Sequence, residues 1–243
     1  MTAKACGQHL SRLTAIIFAA TNEAEKIIEG LMIPVRVYAE DWEIDSRLVP
    51  FGVTRAELLE ITRAVVAARS DAVADDPASA EGLFAYIYGT RWVRRVFRAK
   101  GWIRHRHENI ESVRHPDRPL QIVYQSVDLA SSNIHTPLAV SGKGSGADRI
   151  IDEGQGCLFV DEKSATSPFD PINSGVWFFC VSVNGDDVRA ELSLPAGVSG
   201  GNFNGFIERI FIIRDGEWAG IHVTESGGLD PTEFEPVVSR KKN

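Results

Sequence analysis

The chain has 243 residues and a net charge of −7, with 44% hydrophobic and 24% charged residues. These values exclude a wholly disordered chain, and the overall charge does not suggest a polyanion binder. The length suits one large domain or two small ones. The charge is unevenly distributed, because residues 91–118 hold eight arginines and one lysine against three acidic residues. This local excess of positive charge predicts an anion-facing patch.

The cysteines and the apolar segments predict a cytoplasmic protein with no membrane partner. Three cysteines lie far apart, without a CxxC motif or a Cys/His cluster at zinc spacing, which favours a reducing compartment. The apolar run 13–20 is too short to span a bilayer. Apolar positions continue from Leu10 to Leu31 at spacings of three and four, which predicts an amphipathic helix rather than a cleaved signal peptide.

The first predicted elements along the chain after this helix are a strand and a well-capped helix. Residues 33–45 alternate enough to predict a strand. Thr54 and Glu57 fit a capping box, in which each side chain bonds to the other residue's backbone N–H. The sequence therefore predicts a helix from Thr54 to about Ser70.

Two shorter helices are predicted next, separated by a glycine. Asp76 can cap a helix over residues 77–88, with proline as its first residue. Gly89 is predicted to interrupt this helix, and Thr90 to cap a third helix over residues 91–100.

After residue 101 the apolar period changes from helical to alternating, which predicts strands. They are expected at residues 102–107, 120–127, 156–163, 175–183, 188–194, 206–214 and 218–225. Asn184–Gly185 and Asp215–Gly216 are hairpin signals. The predicted fold class is α+β, with a helical N-terminal half and an antiparallel, β-rich C-terminal half. A mainly helical region, 1–130, would precede a β-rich region, 131–243, although a single domain is an alternative.

The positive charge in residues 88–107 forms an ordered pattern on two predicted elements. Arginines at spacings i, i+3, i+4 and i+7 share one face of the third helix: Arg91, Arg94, Arg95 and Arg98. The strand that follows places Arg104 and Arg106 on one side. Since the like charges repel each other, we expect either acidic side chains of the same protein or an external anion to neutralise them.

The order of helix, glycine and basic strand resembles the recognition helix and wing of winged helix-turn-helix domains. The resemblance covers residues 54–127. It implies that helix 91–100 enters the major groove of DNA and that the strand after it contacts the backbone. The implied nucleic-acid-binding residues are Arg91, Arg94, Arg95, Arg98, Lys100, Arg104 and Arg106.

A second motif resembles the metal-dependent nuclease family PD-(D/E)xK. Asp148 opens one predicted strand, and the next ends in a D-x-K pattern at Asp161 and Lys163. The resemblance implies that the two aspartates bind Mg²⁺, a cation that prefers oxygen ligands, and that Lys163 is catalytic.

The sequence thus predicts a nucleic-acid-binding protein, with DNA favoured over RNA, rather than an enzyme. No cofactor is expected unless the protein is a nuclease, which would need Mg²⁺. In a third hypothesis the arginine face binds an acidic protein, and a homodimer is compatible with all three. In the alternative without an external ligand, the arginines form only a solvated face or pair with the protein's own carboxylates.

Overall fold

The computed structural model describes residues 34–107, 109–140, 175–199 and 201–226. From Arg36 onward these residues belong to one compact unit with an α+β fold, as predicted. The predicted helix 10–31 and the predicted strand 156–163 lie outside the described residues.

The described α-helices are α1, α2, α3 and α4, which span Asp41–Leu48, Arg55–Ser70, Ala80–Ala99 and Glu217–Ser226, and a short 3-10 helix spans Val49–Phe51. The predicted start of α2 is confirmed: the Glu57 N–H donates to Thr54 Oγ1 over 3.3 Å, and the Thr54 N–H donates to Glu57 Oε2 over 2.9 Å. The strand prediction for residues 33–45 is correct only for Arg36–Tyr38. Residues 41–45 instead belong to α1, where Glu40 and Glu43 make a second capping box.

Helix α3 is continuous, so the predicted break at Gly89 and the predicted cap at Thr90 are wrong. A helix-turn-helix requires a turn at this position, and α3 has none. Gly89 is buried in mid-helix, where its missing side chain allows the helix to approach the ring of Tyr124. The helix also begins at Ala80 rather than at residue 77, and the Asp76 carboxylate instead accepts from the Val73 N–H in the preceding turn.

Seven strands form one sheet: β1 (Arg36–Tyr38), β2 (Ile103–His107), β3 (Ile110–Arg114), β4 (Leu120–Ser126), β5 (Gly175–Asn184), β6 (Asp187–Pro195) and β9 (Phe206–Ile213). Their order in the sheet is β1-β9-β6-β5-β4-β3-β2. Strands β7 (Val198–Ser199) and β8 (Asn202–Phe203) form a separate two-stranded sheet. The sheet is mixed rather than antiparallel, since β1 pairs with β9, and β4 with β5, in parallel. Strands from both sides of residue 130 share this sheet.

The two predicted hairpin turns have different outcomes. Asn184–Gly185 connects β5 to β6 as an antiparallel hairpin, with Gly185 at a φ of 60°. Asp215–Gly216 leads into α4, so the strand predicted at 218–225 is wrong. The Glu217 carboxylate accepts from the Arg214 N–H over 2.8 Å, which stabilises the first turn of a helix.

Helices α1, α2 and α3 share a core with one face of the sheet, where residues such as Leu48, Ile61 and Phe97 are packed with Trp177 and Ile210. The opposite face carries a smaller apolar cluster that includes the buried Cys180. Helix α3 contacts β3 and β4 near the β2 edge of the sheet. Among the described helices, none is both long and apolar enough to cross a membrane.

Candidate functional site

Helix α3 and the β2–β3 hairpin border an open groove of about 680 Å³, which we call the arginine groove. Its lining residues come from both elements: Tyr86, Ile87, Thr90, Arg91, Arg94, Arg95, Arg98, Arg104 and Glu111. The groove therefore brings together the four predicted helical arginines and one of the two strand arginines. Glu111 is the one acidic residue among the described residues that line it.

Two of the helical arginines lie on aromatic rings of the preceding turn. The guanidinium carbon of Arg91 is 4.4 Å from the centroid of the Tyr88 ring, and that of Arg95 is 4.7 Å from the centroid of Trp92. Such cation–π contacts orient a guanidinium group without neutralising its charge. Both arginines are exposed, so their charge remains available to an external anion.

Arg94 differs from its neighbours because it forms an ion pair with Glu111 on β3. The Arg94 and Glu111 side chains are 18% and 20% exposed, so the pair is largely shielded from water. Glu111 Oε1 also lies 3.5 Å from Nε of Arg106, whose position opposite Glu111 follows from the strand register. Two predicted binding arginines therefore share one internal carboxylate.

The other arginines of the groove have no such partner among the residues that the structure describes. In the ranges that the structure describes, no carboxylate pairs with Arg91, Arg95, Arg98 or Arg104. Within the described part of the chain, the protein's own acidic side chains therefore neutralise Arg94 and Arg106 and no other arginine of this region.

Lys100 belongs to a different surface from the other predicted binding residues. Its Nζ is 2.8 Å from Oε1 of Glu57, the carboxylate that also caps α2. Burial would raise the pKa of Glu57, but hydrogen bonds from Lys100 and Thr54 outweigh burial and hold this pKa below its usual range. Lys100 thus links α3 to the start of α2 and does not line the arginine groove.

Two buried polar atoms of α3 lack a hydrogen-bond partner among the described residues: Thr90 Oγ1 and Arg94 Nε. Both residues line the arginine groove, and Thr90 as a whole is only 8% exposed. Buried polar groups are nearly always hydrogen-bonded, so two such atoms in one groove identify it as a candidate binding site.

His105 on β2 adds little positive charge to this region. His105 lies within hydrogen-bond distance of Ser112 Oγ, 3.2 Å from its Nδ1, and its ring stacks on His107. Burial, and then the nearby Arg114 charge, lower the pKa of His105, so its imidazole is mainly neutral at pH 7.

The predicted nuclease residues Asp148, Asp161 and Lys163 lie outside the described residues, so the Mg²⁺ site stays a prediction. Within the described ranges, no group of three or more His, Cys, Asp or Glu side chains is placed to hold a metal ion.

Sequence reasoning missed four residues of the groove: Tyr86, Ile87, Thr90 and Glu111. Thr90 lies four residues before Arg94, and Ile87 and Tyr86 lie three and four residues before Thr90, but the predicted break at Gly89 concealed this continuity. Glu111 could have been found by pairing the two strands of the β2–β3 hairpin, since it lies directly opposite Arg106.

Comparison of the sequence and the fold with known proteins found no matching family model, no matching curated protein and no matching solved structure.

Proposed function

We propose that the protein binds nucleic acid along the arginine groove. The observation that carries this proposal is the set of four arginines that line the groove and have no carboxylate partner among the described residues: Arg91, Arg95, Arg98 and Arg104. Guanidinium groups match phosphate oxygens in charge and in geometry, and phosphate contacts supply most of the affinity of such proteins.

The dimensions of α3 support a contact with several consecutive phosphates. Arg91 and Arg98 are seven residues apart, which corresponds to about 10 Å along a helix axis. This length corresponds to about three base-pair steps along the axis of a B-form duplex, at about 3.4 Å of rise per step. Arg104 on the hairpin would hold the backbone from the other side of the groove.

The apolar part of the groove suits nucleobases. Tyr86 and Ile87 are 44% and 39% exposed and lie at the end of the groove opposite Arg98. Exposed aromatic rings stack on bases whatever their sequence, and each such contact contributes about 1 to 3 kcal/mol. We therefore propose a strand that runs along the groove, with phosphates near the arginines and a base near Tyr86.

This arrangement differs from the one implied by the winged-helix resemblance. Helix α3 packs against α2 on one side and against β3 and β4 on another, so one face remains for a ligand. The β2–β3 hairpin forms the second wall of that face. We propose that the groove follows the sugar-phosphate backbone and does not insert α3 into a major groove.

Fluorescence anisotropy with labelled single-stranded DNA, duplex DNA and RNA of one sequence tests the proposal. The double variant Arg95→Glu/Arg98→Glu should lose at least about tenfold in affinity at low salt, because two side chains that attract phosphate are replaced by two that repel it. Arg36→Glu is the matched control: Arg36 is exposed on β1, at the opposite edge of the sheet. This control should bind like the parent protein.

Two results would reject the proposal. One is the absence of binding to all three probes at low salt, and the other is unchanged binding by the double variant. Tighter binding to polyglutamate than to any nucleic acid would instead support the acidic-protein hypothesis.

A further inference from the structure

We infer that Thr90 and Arg94 form a phosphate subsite within the arginine groove, and that Glu111 is an internal competitor for it. The identity of the phosphate donor rests on the proposed function, whereas the subsite itself follows from unpartnered atoms and from the ion pair. The inference assigns Glu111 a role in selecting the ligand.

Thr90 is the first component of the subsite. A threonine within a helix often donates its hydroxyl to the carbonyl four residues earlier. Thr62 of α2 does so, with its Oγ1 3.3 Å from the Leu58 carbonyl oxygen. Thr90 has no such bond, although its Oγ1 is buried and the residue lines the groove. Its hydroxyl therefore has no partner in the described structure and can donate to a group that enters the groove.

Arg94 is the second component, one helical turn after Thr90 and on the same face of α3. A guanidinium group offers donors along two edges, and it can hold an oxyanion through two parallel bonds. Glu111 engages Nη2 of Arg94, whereas Nε is buried and has no partner among the described residues. The internal carboxylate thus satisfies this guanidinium only in part.

Glu111 occupies a donor of Arg94 that a phosphate ligand would otherwise use. Its carboxylate contacts Arg94 and lies near Arg106, and no other acidic residue of the described ranges lines the groove. An incoming phosphate must overcome repulsion by this carboxylate or displace it from Arg94. A ligand with several phosphate oxygens can do so by reaching Arg94 Nε and the Thr90 hydroxyl, whereas a simple carboxylate offers nothing that Glu111 does not already supply.

The test uses the full chain, a labelled oligonucleotide and pyrophosphate as probes, and three single variants. Glu111→Gln removes the competing charge but keeps an oxygen for Arg94, so it should bind both probes about fivefold more tightly or better. Thr90→Val removes the hydroxyl and nearly preserves the shape, so it should bind both probes about fivefold more weakly. Glu57→Gln is the control, because it removes the carboxylate partner of Lys100 outside the groove.

Thermal unfolding of the same variants separates binding from folding. Thr90→Val should leave the melting temperature unchanged or raise it, because the lost hydroxyl has no partner among the described residues. A lower melting temperature would show that the hydroxyl has an internal structural role, and it would overturn the inference.

The remaining outcomes distinguish this inference from the proposed function. If the parent binds the oligonucleotide but neither Glu111→Gln nor Thr90→Val alters binding, the subsite is wrong and nucleic-acid binding stands. If pyrophosphate binding responds to both variants while no oligonucleotide binds, the subsite stands and the proposed function is wrong. If neither the parent nor any variant binds the oligonucleotide or pyrophosphate, both the subsite and the proposed function are wrong.

Discussion

The ring of Tyr124 on β4 fills the space in which Gly89 on α3 would otherwise carry a side chain. A Cβ atom added to Gly89 would lie 2.4 Å from Cε2 of Tyr124. The ring has little freedom to move, since Tyr124 is buried and its hydroxyl lies 3.0 Å from Ser126 Oγ. This contact fixes how closely α3 approaches the sheet, and therefore where the arginine face lies relative to the β2–β3 hairpin.

Substitution of Gly89 tests this contact. We expect Gly89→Ala to lower the free energy of unfolding by about 1 to 3 kcal/mol, the usual cost of adding a methyl group to a well-packed core. Gly82→Ala on the same helix is the control: Gly82 is exposed, and an added Cβ meets nothing within 4 Å. Alanine there should increase the free energy of unfolding by about 0.5 kcal/mol. If urea denaturation shows that both substitutions change the free energy of unfolding in the same direction, the close approach of Gly89 to Tyr124 does not explain the glycine.

A buried ion pair on the sheet face opposite the helices connects β6 to β9. Arg209 donates to both carboxylate oxygens of Glu191, over 3.0 Å from Nε and 2.6 Å from Nη2. The two side chains are 7% and 0% exposed. Arg209 Nη1 also donates to the Ser132 carbonyl over 2.7 Å, and Glu191 accepts from the Ser131 N–H. The pair therefore holds the loop after β4 against the sheet.

Removal of one partner from this pair should be costly. Arg209→Met leaves the Glu191 carboxylate buried and uncompensated, so we expect the free energy of unfolding to fall by about 3 to 5 kcal/mol. Arg69→Met is the control, because Arg69 forms a more exposed pair with Glu81 across α2 and α3. Such pairs contribute at most about 1 kcal/mol. If urea denaturation shows the same decrease in the free energy of unfolding for both variants, the buried Glu191–Arg209 pair stabilises the fold no more than an exposed pair does.

The loop after β4 should also respond to acid through Asp128. Its Oδ1 accepts from the N–H groups of Leu129 and Leu138, each over 2.7 Å, and its Oδ2 lies 2.9 Å from His135 Nε2. Burial would raise the pKa of Asp128, but these hydrogen bonds outweigh burial and lower it. Because the folded pKa lies below the unfolded one, the carboxylate stabilises the loop fully above about pH 3.9, and this stabilisation is lost as the pH falls through the folded pKa.

An NMR titration of the Leu138 amide measures this effect. We expect a midpoint below about pH 3.9, the ordinary value for an aspartate, and no such transition in Asp128→Asn. A midpoint at or above that value would contradict the hydrogen-bond arrangement of the loop.

The parts of the fold that were predicted correctly depend on interactions between near neighbours in sequence. Thr54 and Glu57 bond to each other within one helical turn, so their capping box is visible in the sequence. The Asn184–Gly185 turn is likewise a local preference for positive φ.

The errors arise where distant contacts decide the structure. A glycine permits either a turn or a close approach, and only Tyr124, 35 residues later, makes Gly89 a packing position. The parallel pairing of β1 with β9 joins segments about 170 residues apart, which no local pattern reveals. The arginine spacing correctly placed four side chains along one groove, but the ion pair of Arg94 with Glu111 depends on how α3 lies against the hairpin.

The salt dependence of oligonucleotide affinity tests the central claim most directly. Four arginines in contact with phosphates should give a slope of about −3 for the logarithm of the association constant of a single strand against the logarithm of the salt concentration. The slope should fall to about half of that value in Arg95→Glu/Arg98→Glu and should be unchanged in Arg36→Glu. A slope near zero in the parent protein, or one that the double variant leaves unchanged, would contradict nucleic-acid binding in the arginine groove.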